Sequence, residues 1–182
     1  MASTISAGTT SGTALNMSGD TTGNLQLQTQ AGANTITVPN VTGTIMVNGP
    51  AFSAYSNATQ TTTTNVWTKI AYQVEEYDTN SNFDSTTNYR FTPTVAGYYQ
   101  INGSYYSNGG PTRCGVAIYK NGSSYKIADT VATTYAMFIS SLVYLNGSTD
   151  YVEIWMNNIT SGTGVLADST RTYFSGSMTR SA

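Results

Sequence analysis

The chain has 182 residues, of which 9% are charged, against the ~25% usual in globular proteins, and its net charge is −2. Seven lysines and arginines, scattered singly, supply no footprint for nucleic acid or an anionic membrane, and no apolar run approaches the ~18 residues that cross a bilayer. Histidine is absent, which removes Ser-His-Asp and Cys-His catalysis, His-ligated zinc and the commonest general base, so an enzyme is not expected.

Thr, Ser, Asn and Gln replace the missing charges, and there are 14 Tyr. Thr and Tyr favour strands, Gly and Asn favour turns, and no segment sustains a period of 3.6. The chain reads as all-β. The single Cys114 has no intrachain partner and reads as a small buried apolar residue. Met1 is followed by polar residues, so no secretory signal is expected, and the Asn-x-Ser/Thr triplets at Asn57, Asn121 and Asn146 read as by-products of composition.

Residues 1–48 stand apart. Apolar pairs at alternate positions, Leu15/Met17, Leu25/Leu27, Ile36/Val38 and Ile45/Val47, recur at spacings of 10, 11 and 9 residues with Gly, Asn and Thr between them. Such pairs predict short strands joined by tight turns. Each strand buries too little to offset its own ordering entropy, so the segment is either disordered or completed by other chains in a β-stalk. The regular alternation favours the stalk.

Asn48-Gly49-Pro50 marks the boundary to a head at 49–182. Phe52, Ala54 and Tyr55 open a strand, Thr59 to Asn65 is a loop, and Val66, Trp67 and Ile70 to Val74 form short strands before a polar loop at Tyr77 to Asn82. Asp84 to Asn88 is turn chemistry, and Pro93 suits a strand edge. After Gly97 a long strand places Tyr99, Ile101, Gly103 and Tyr105 on one face and Tyr98, Gln100, Asn102, Ser104 and Tyr106 on the other. The second face is aromatic but polar-tipped, which suits contact with another chain. Asn121-Gly122 predicts a hairpin between Val116/Ile118 and Tyr125/Ile127. Asn146-Gly147 predicts a second between Val143/Leu145 and Tyr151 to Trp155. Thr172 to Thr179, with Phe174 and Gly176, closes the chain. About eight to ten strands make a two-sheet jelly roll.

The pattern Asp78…Phe83-Asp84…Phe91-x5-Gly97-x-Tyr99 resembles the signature of the C1q-like globular head, a relative of the tumour necrosis factor fold. Pro50 to Ala54 resembles that family's opening strand and Thr172 to Gly176 its closing one. Tyr72 stands where the pattern has Phe, and Ile101 and Gly103 replace two aromatics. The resemblance implies a ten-strand jelly roll assembled as a homotrimer about a three-fold axis, with the strand after Gly97 and the last strand in the inner sheet. Tyr98, Gln100, Tyr106 and Phe174 are then the expected intersubunit residues. The first 48 residues are similar to segments of bacteriophage tail-fibre proteins, which implies a virion protein assembled in the host cytoplasm.

Four acids, Glu75, Glu76, Asp78 and Asp84, form the densest acidic cluster and read as a solvated loop, since adjacent acids on opposite strand faces make no catalytic pair. Asp78-x-Asn80-x-Asn82 matches the first three ligand positions of a calcium loop, yet Phe83 and Tyr89 stand where that loop needs Gly and Glu. Calcium is a weak candidate and no other cofactor is expected. Trp67 and Trp155 read as core or subunit contact before a sugar-stacking surface. Receptor contact is expected at the loop tips around Asn108, Tyr125 and Asn158. The expected function is a trimeric phage fibre or appendage whose head adheres to a host surface glycan or protein, with N-terminal contacts to other virion proteins. The alternative is a capsid decoration protein or head fibre.

Overall fold

The computed structural model describes residues 25–28, 35–38, 49–131, 135–160 and 163–182, and every regular element among them is a strand. The chain divides into two units, Met1–Val47 and Asn48–Ala182. In the first, β1 (Leu25–Gln28) pairs antiparallel with β2 (Thr35–Val38), Leu25 opposite Val38. The Leu25/Leu27 and Ile36/Val38 pairs therefore fall in adjacent strands. The pairs Leu15/Met17 and Ile45/Val47 lie outside the described residues.

The second unit contains β3 (Ala51–Ser56), β4 (Gln60–Thr61), β5 (Thr68–Lys69), β6 (Val74–Asp78), β7 (Phe83–Asp84), β8 (Arg90–Phe91) and β9 (Ala96–Tyr106). It continues with β10 (Cys114–Lys120), β11 (Ser123–Thr130), β12 (Ala136–Asn146), β13 (Val152–Asn158), β14 (Gly164–Val165) and β15 (Asp168–Ser181). Five strands form one sheet in the order β12-β9-β15-β3-β6. A six-stranded sheet runs β11-β10-β13-β8-β7, with β5 also on β13, and β14 pairs with β4.

The alternation along β9 sets the sandwich. Tyr99, Ile101 and Tyr105 are fully buried, as are Phe52 on β3 and Phe174 on β15. They meet Val116 and Ile118 of β10 and Val152, Ile154 and Met156 of β13 from the other sheet. Aromatic rings fill one half of the core: Phe52 stacks on Phe91 at 4.4 Å and on Phe83 at 4.9 Å, and Phe174 meets Phe52 edge-on at 4.8 Å. Tyr72, fully buried, donates its hydroxyl to the Ser104 carbonyl at 3.0 Å, so its ring fills apolar space while its polar tip is satisfied. Cys114 is buried, and burial pushes its thiol pKa up.

One expected hairpin is present and one is corrected. Asn121 (φ 52°) and Gly122 (φ 77°) are both left-handed, as the two central residues of a type I′ turn must be, and Lys120 pairs with Ser123 across them. Asn146-Gly147 also turns the chain, but β12 pairs with β9 and β13 pairs with β10, so the turn carries the chain between sheets. Asn146 Oδ1 accepts the amides of Ser148, Thr149 and Asp150, which closes the turn by side chain without a ladder. Val143 and Leu145 then enter the core from one sheet and Val152 and Ile154 from the other. Two shorter expectations shift as well: strand structure begins at Val74 where Ile70 to Val74 was expected, and it runs through Tyr77 to Asp78, part of the expected loop.

Candidate functional site

The outward side of β9 carries Tyr98, Gln100, Asn102, Ser104 and Tyr106, and strand register extends that side across its neighbours. On β12, Tyr144 lies opposite Tyr98, Leu142 opposite Gln100, Ser140 opposite Asn102 and Phe138 opposite Ser104. On β15, Ser175 faces Asn102 and Ser177 faces Gln100, and β3 adds Ser53 and Ala51 to those same rows. Four large apolar side chains on this one face are strongly exposed: Phe138 at 75%, Leu142 at 48%, and Tyr98 and Tyr144 at 42% each. β12 is also the edge strand of its sheet. A long edge strand bearing Phe and Leu in the open is a feature that monomers normally blunt with charge.

Polar groups on the face are fixed by one another. Gln100 Nε2 donates to Ser140 Oγ at 2.7 Å, and Ser140 Oγ donates to Asn102 Oδ1 at 2.8 Å. Tyr98 and Tyr144 pack at 5.4 Å, and Lys120 Nζ sits 5.6 Å from the Tyr144 ring while donating to the Tyr144 carbonyl at 2.8 Å. Beside Tyr98 a groove of about 470 Å³ runs between Leu142 and the C-terminal residues Thr179 to Ala182. At the other end of the face, Arg171 lies 3.8 Å over the Tyr106 ring while its guanidinium pairs with Asp168, and Tyr135 stacks on Tyr106 at 5.9 Å. The surface is thus apolar patches bridged by a hydrogen-bonded polar strip.

Tyr98, Gln100 and Tyr106 all lie on this face. Phe174 does not: it is fully buried, and its ring contacts Phe52, Tyr72 and Phe83 inside the sandwich. Its parity on β15 points inward, opposite Gly103, so it belongs to the core and contacts no second chain. Phe138, Leu142 and Tyr144 were missed because Met137, Ile139, Val143 and Leu145 interleave with them. Apolar residues of both parities hide a period of two.

The three expected loop positions separate. Asn108 is exposed beside the Gly109 turn, its amide donating to the Gly164 carbonyl at 3.0 Å. Tyr125 is exposed, but on β11 and not at a loop tip, with its hydroxyl directed at the Leu142 carbonyl at 3.5 Å. Asn158 is a correction. It is buried at the end of β13, its Oδ1 accepting from the Tyr105 hydroxyl at 2.9 Å and its Nδ2 donating to Ser107 Oγ at 3.3 Å. It satisfies a buried tyrosine and is not presented to a receptor.

The Asp78-Asn80-Asn82 loop is held by its own hydrogen bonds. Asp78 accepts the amides of Phe83 at 2.7 Å and Asn80 at 3.2 Å, and buried Asn82 bonds to the Asn80 carbonyl and the Thr94 amide. Of the four side-chain oxygens, the two of Asp78 and that of Asn82 are taken up by backbone amides, and that of Asn80 accepts from the Thr79 hydroxyl. Asp84 accepts the backbone amides of Thr87 and Thr86 and the side-chain amide of Asn88, and these donors hold its carboxyl well below the usual carboxylate range. Among the described residues no group of three or more Asp, Glu or Cys side chains gathers to hold a metal. Trp67 and Trp155, expected in the core or a subunit contact, are half-buried on the outward side of the six-stranded sheet, where Tyr119 stacks on Trp155 at 4.5 Å.

No family model and no curated protein sequence matches the chain. Solved structures match it at the level of fold. The globular domain of zebrafish complement 1qA superposes with a TM-score of 0.55 at 18% identity, over 74% of this chain and 99% of that one. Murine APRIL gives 0.57 at 8% identity over 71% and 98%, and the Eiger TNF of S. frugiperda gives 0.53 at 10% over 75% and 96%. The all-β sandwich is therefore the jelly roll shared by C1q globular domains and tumour-necrosis-factor-like proteins.

Proposed function

We propose that three copies of this chain associate through the sheet face bearing Phe138, Leu142, Tyr98 and Tyr144, and that the trimer is a non-enzymatic virion fibre or appendage whose heads adhere to the host surface. The observation that carries the reading is the exposed apolar face itself. Fully burying a Phe or Leu side chain contributes about 1.5–3 kcal/mol, and each copy holds four large apolar groups on one face. The fold shared with C1q and tumour-necrosis-factor-like heads supports the three-fold arrangement. The paired short strands β1 and β2 and the near-decade spacing of apolar pairs support a segment that joins other virion proteins. Three weak sites on one rigid trimer gain avidity without any single tight contact.

An antibody raised against the protein, applied to virions of the virus that encodes it, tests the reading. Label on a tail or fibre together with blocked adsorption to host cells is the expected result. Label spread over the capsid with adsorption unchanged assigns the chain to shell decoration. Virions that carry no label refute both roles.

A further inference from the structure

The six-stranded sheet turns a second feature outward, on the opposite side of the sandwich from the trimer face. Register places Asp129, Gly115 and Asn157 side by side across β11, β10 and β13. Gly115 has no side chain, so a gap opens between its two polar neighbours, with peptide backbone as its floor. Trp67, carried by the segment just before β5, closes the gap from above: a Cβ on Gly115 would stand 3.0 Å from Trp67 Cη2. The result is a cleft of about 90 Å³, with Asn65, Arg113 and Ile159 completing its rim.

The walls carry three kinds of chemistry. Trp67 offers a ring, braced by Tyr119 at 6.3 Å, which itself stacks on Trp155. Trp155 Nε1 donates to Glu153 at 2.9 Å, so the aromatic row is anchored at its far end. Asn157 Oδ1 is sealed from solvent with no hydrogen-bond partner among the described residues. A buried acceptor left unmade costs about 1–3 kcal/mol, and native proteins leave few of them without a reason. Arg113 grips Asp129 through Nε at 3.1 Å and Nη2 at 2.5 Å, so the pair contributes donors and acceptors but no net charge.

We infer that this cleft binds the edge of one neutral hexose, the terminal sugar of a surface glycan. A small rotation of the Asn157 side chain, which lines the cleft, brings its unpaired Oδ1 to a sugar hydroxyl that donates to it. The Asp129 carboxylate has lone pairs beyond those that Arg113 uses, so it accepts from a neighbouring hydroxyl. The C–H face of a pyranose covers Trp67, whose fixed position spares the ordering cost of binding. The Arg113–Asp129 ion pair leaves the cleft without net charge, so it offers a charged sugar no net attraction. The small volume admits one ring edge and excludes an engulfed chain. The inference deepens the adhesion reading by naming the ligand class and its seat, and it rests on that reading for its biological role alone.

Titration of the purified full chain with the methyl glycosides of glucose, galactose, mannose and N-acetylglucosamine, read by saturation-transfer NMR and tryptophan fluorescence, tests it. N-acetylneuraminic acid serves as the charged comparison. The expected result is saturable millimolar binding of at least one neutral hexose, weakened at least tenfold by Trp67→Ala, by Asn157→Leu and by Gly115→Ala. The last sets a methyl on the cleft floor 3.0 Å from Trp67 Cη2 and leaves the core side of β10 untouched. No saturable binding of any neutral hexose overturns the inference. So does binding that survives Trp67→Ala and Gly115→Ala, or a preference for N-acetylneuraminic acid. Light scattering on the same samples separates the two proposals. A monomer that binds a hexose refutes the trimer and leaves the cleft standing, and a trimer that binds none refutes the cleft alone.

Discussion

Phe138→Ser isolates the trimer face from the fold. Phe138 is 75% exposed and lies opposite Ser104 on the outward side of its sheet, so its ring contributes almost nothing to the core of its own subunit. Covering the open three quarters of a Phe that contributes about 1.5–3 kcal/mol when wholly buried is worth about 1–2 kcal/mol. Three copies give about 3–6 kcal/mol per trimer, or about two to four powers of ten in the association constant, at about 1.4 kcal/mol per tenfold. Sedimentation equilibrium of wild type and variant over a wide concentration range reads that loss directly. The variant is expected to dissociate at concentrations where wild type stays associated, with an unchanged far-UV dichroism spectrum. A variant that associates as tightly as wild type refutes the assignment of this face. A variant that unfolds refutes the placement of Phe138 outside the core.

Phe174→Ala is expected to have the opposite signature, a loss of about 3–5 kcal/mol in subunit stability from cavity formation, seen in chemical denaturation. Gly147→Ala places a Cβ 2.3 Å from the Ala96 amide nitrogen at a backbone φ of 71°, so a lowered melting temperature is expected and an unchanged one would contradict the turn geometry. Asp84 has a folded pKa held below its unfolded value by the amides of Thr87, Thr86 and Asn88, so its stabilisation is present above about pH 4 and is lost as pH falls further. Asp84→Asn should therefore lower the melting temperature at neutral pH and flatten its decline between neutral and acid pH. Equal slopes for the two proteins would remove Asp84 from the acid response.

What the sequence made legible was set by parity. Along β9 the two faces differ cleanly, with Ile101 and Tyr99 against Gln100 and Asn102, so the inward and outward sets could be separated from residue types alone. Along β12 both parities are apolar, and neither Phe138 nor Leu142 stood out. Phe174 was misassigned because closing-strand membership was carried over without its parity; Phe174 pairs with Gly103, and both point inward. The Asn146-Gly147 turn was correctly located, yet a turn signal reports local φ and does not report which strand lies beside the next one. Asn158 sat in an apparently polar loop segment because its buried side-chain partners, the Tyr105 hydroxyl and Ser107 Oγ, are 53 and 51 residues away. The cleft was invisible for the same reason: Trp67, Gly115, Asp129 and Asn157 come together only through register across three strands and a loop.

The central claim, association through the exposed sheet face, is tested most directly by the absolute mass of the unmodified chain in solution. Multi-angle light scattering at micromolar concentration should give about three times 19.4 kDa. A mass of 19.4 kDa that persists as concentration rises would contradict the account.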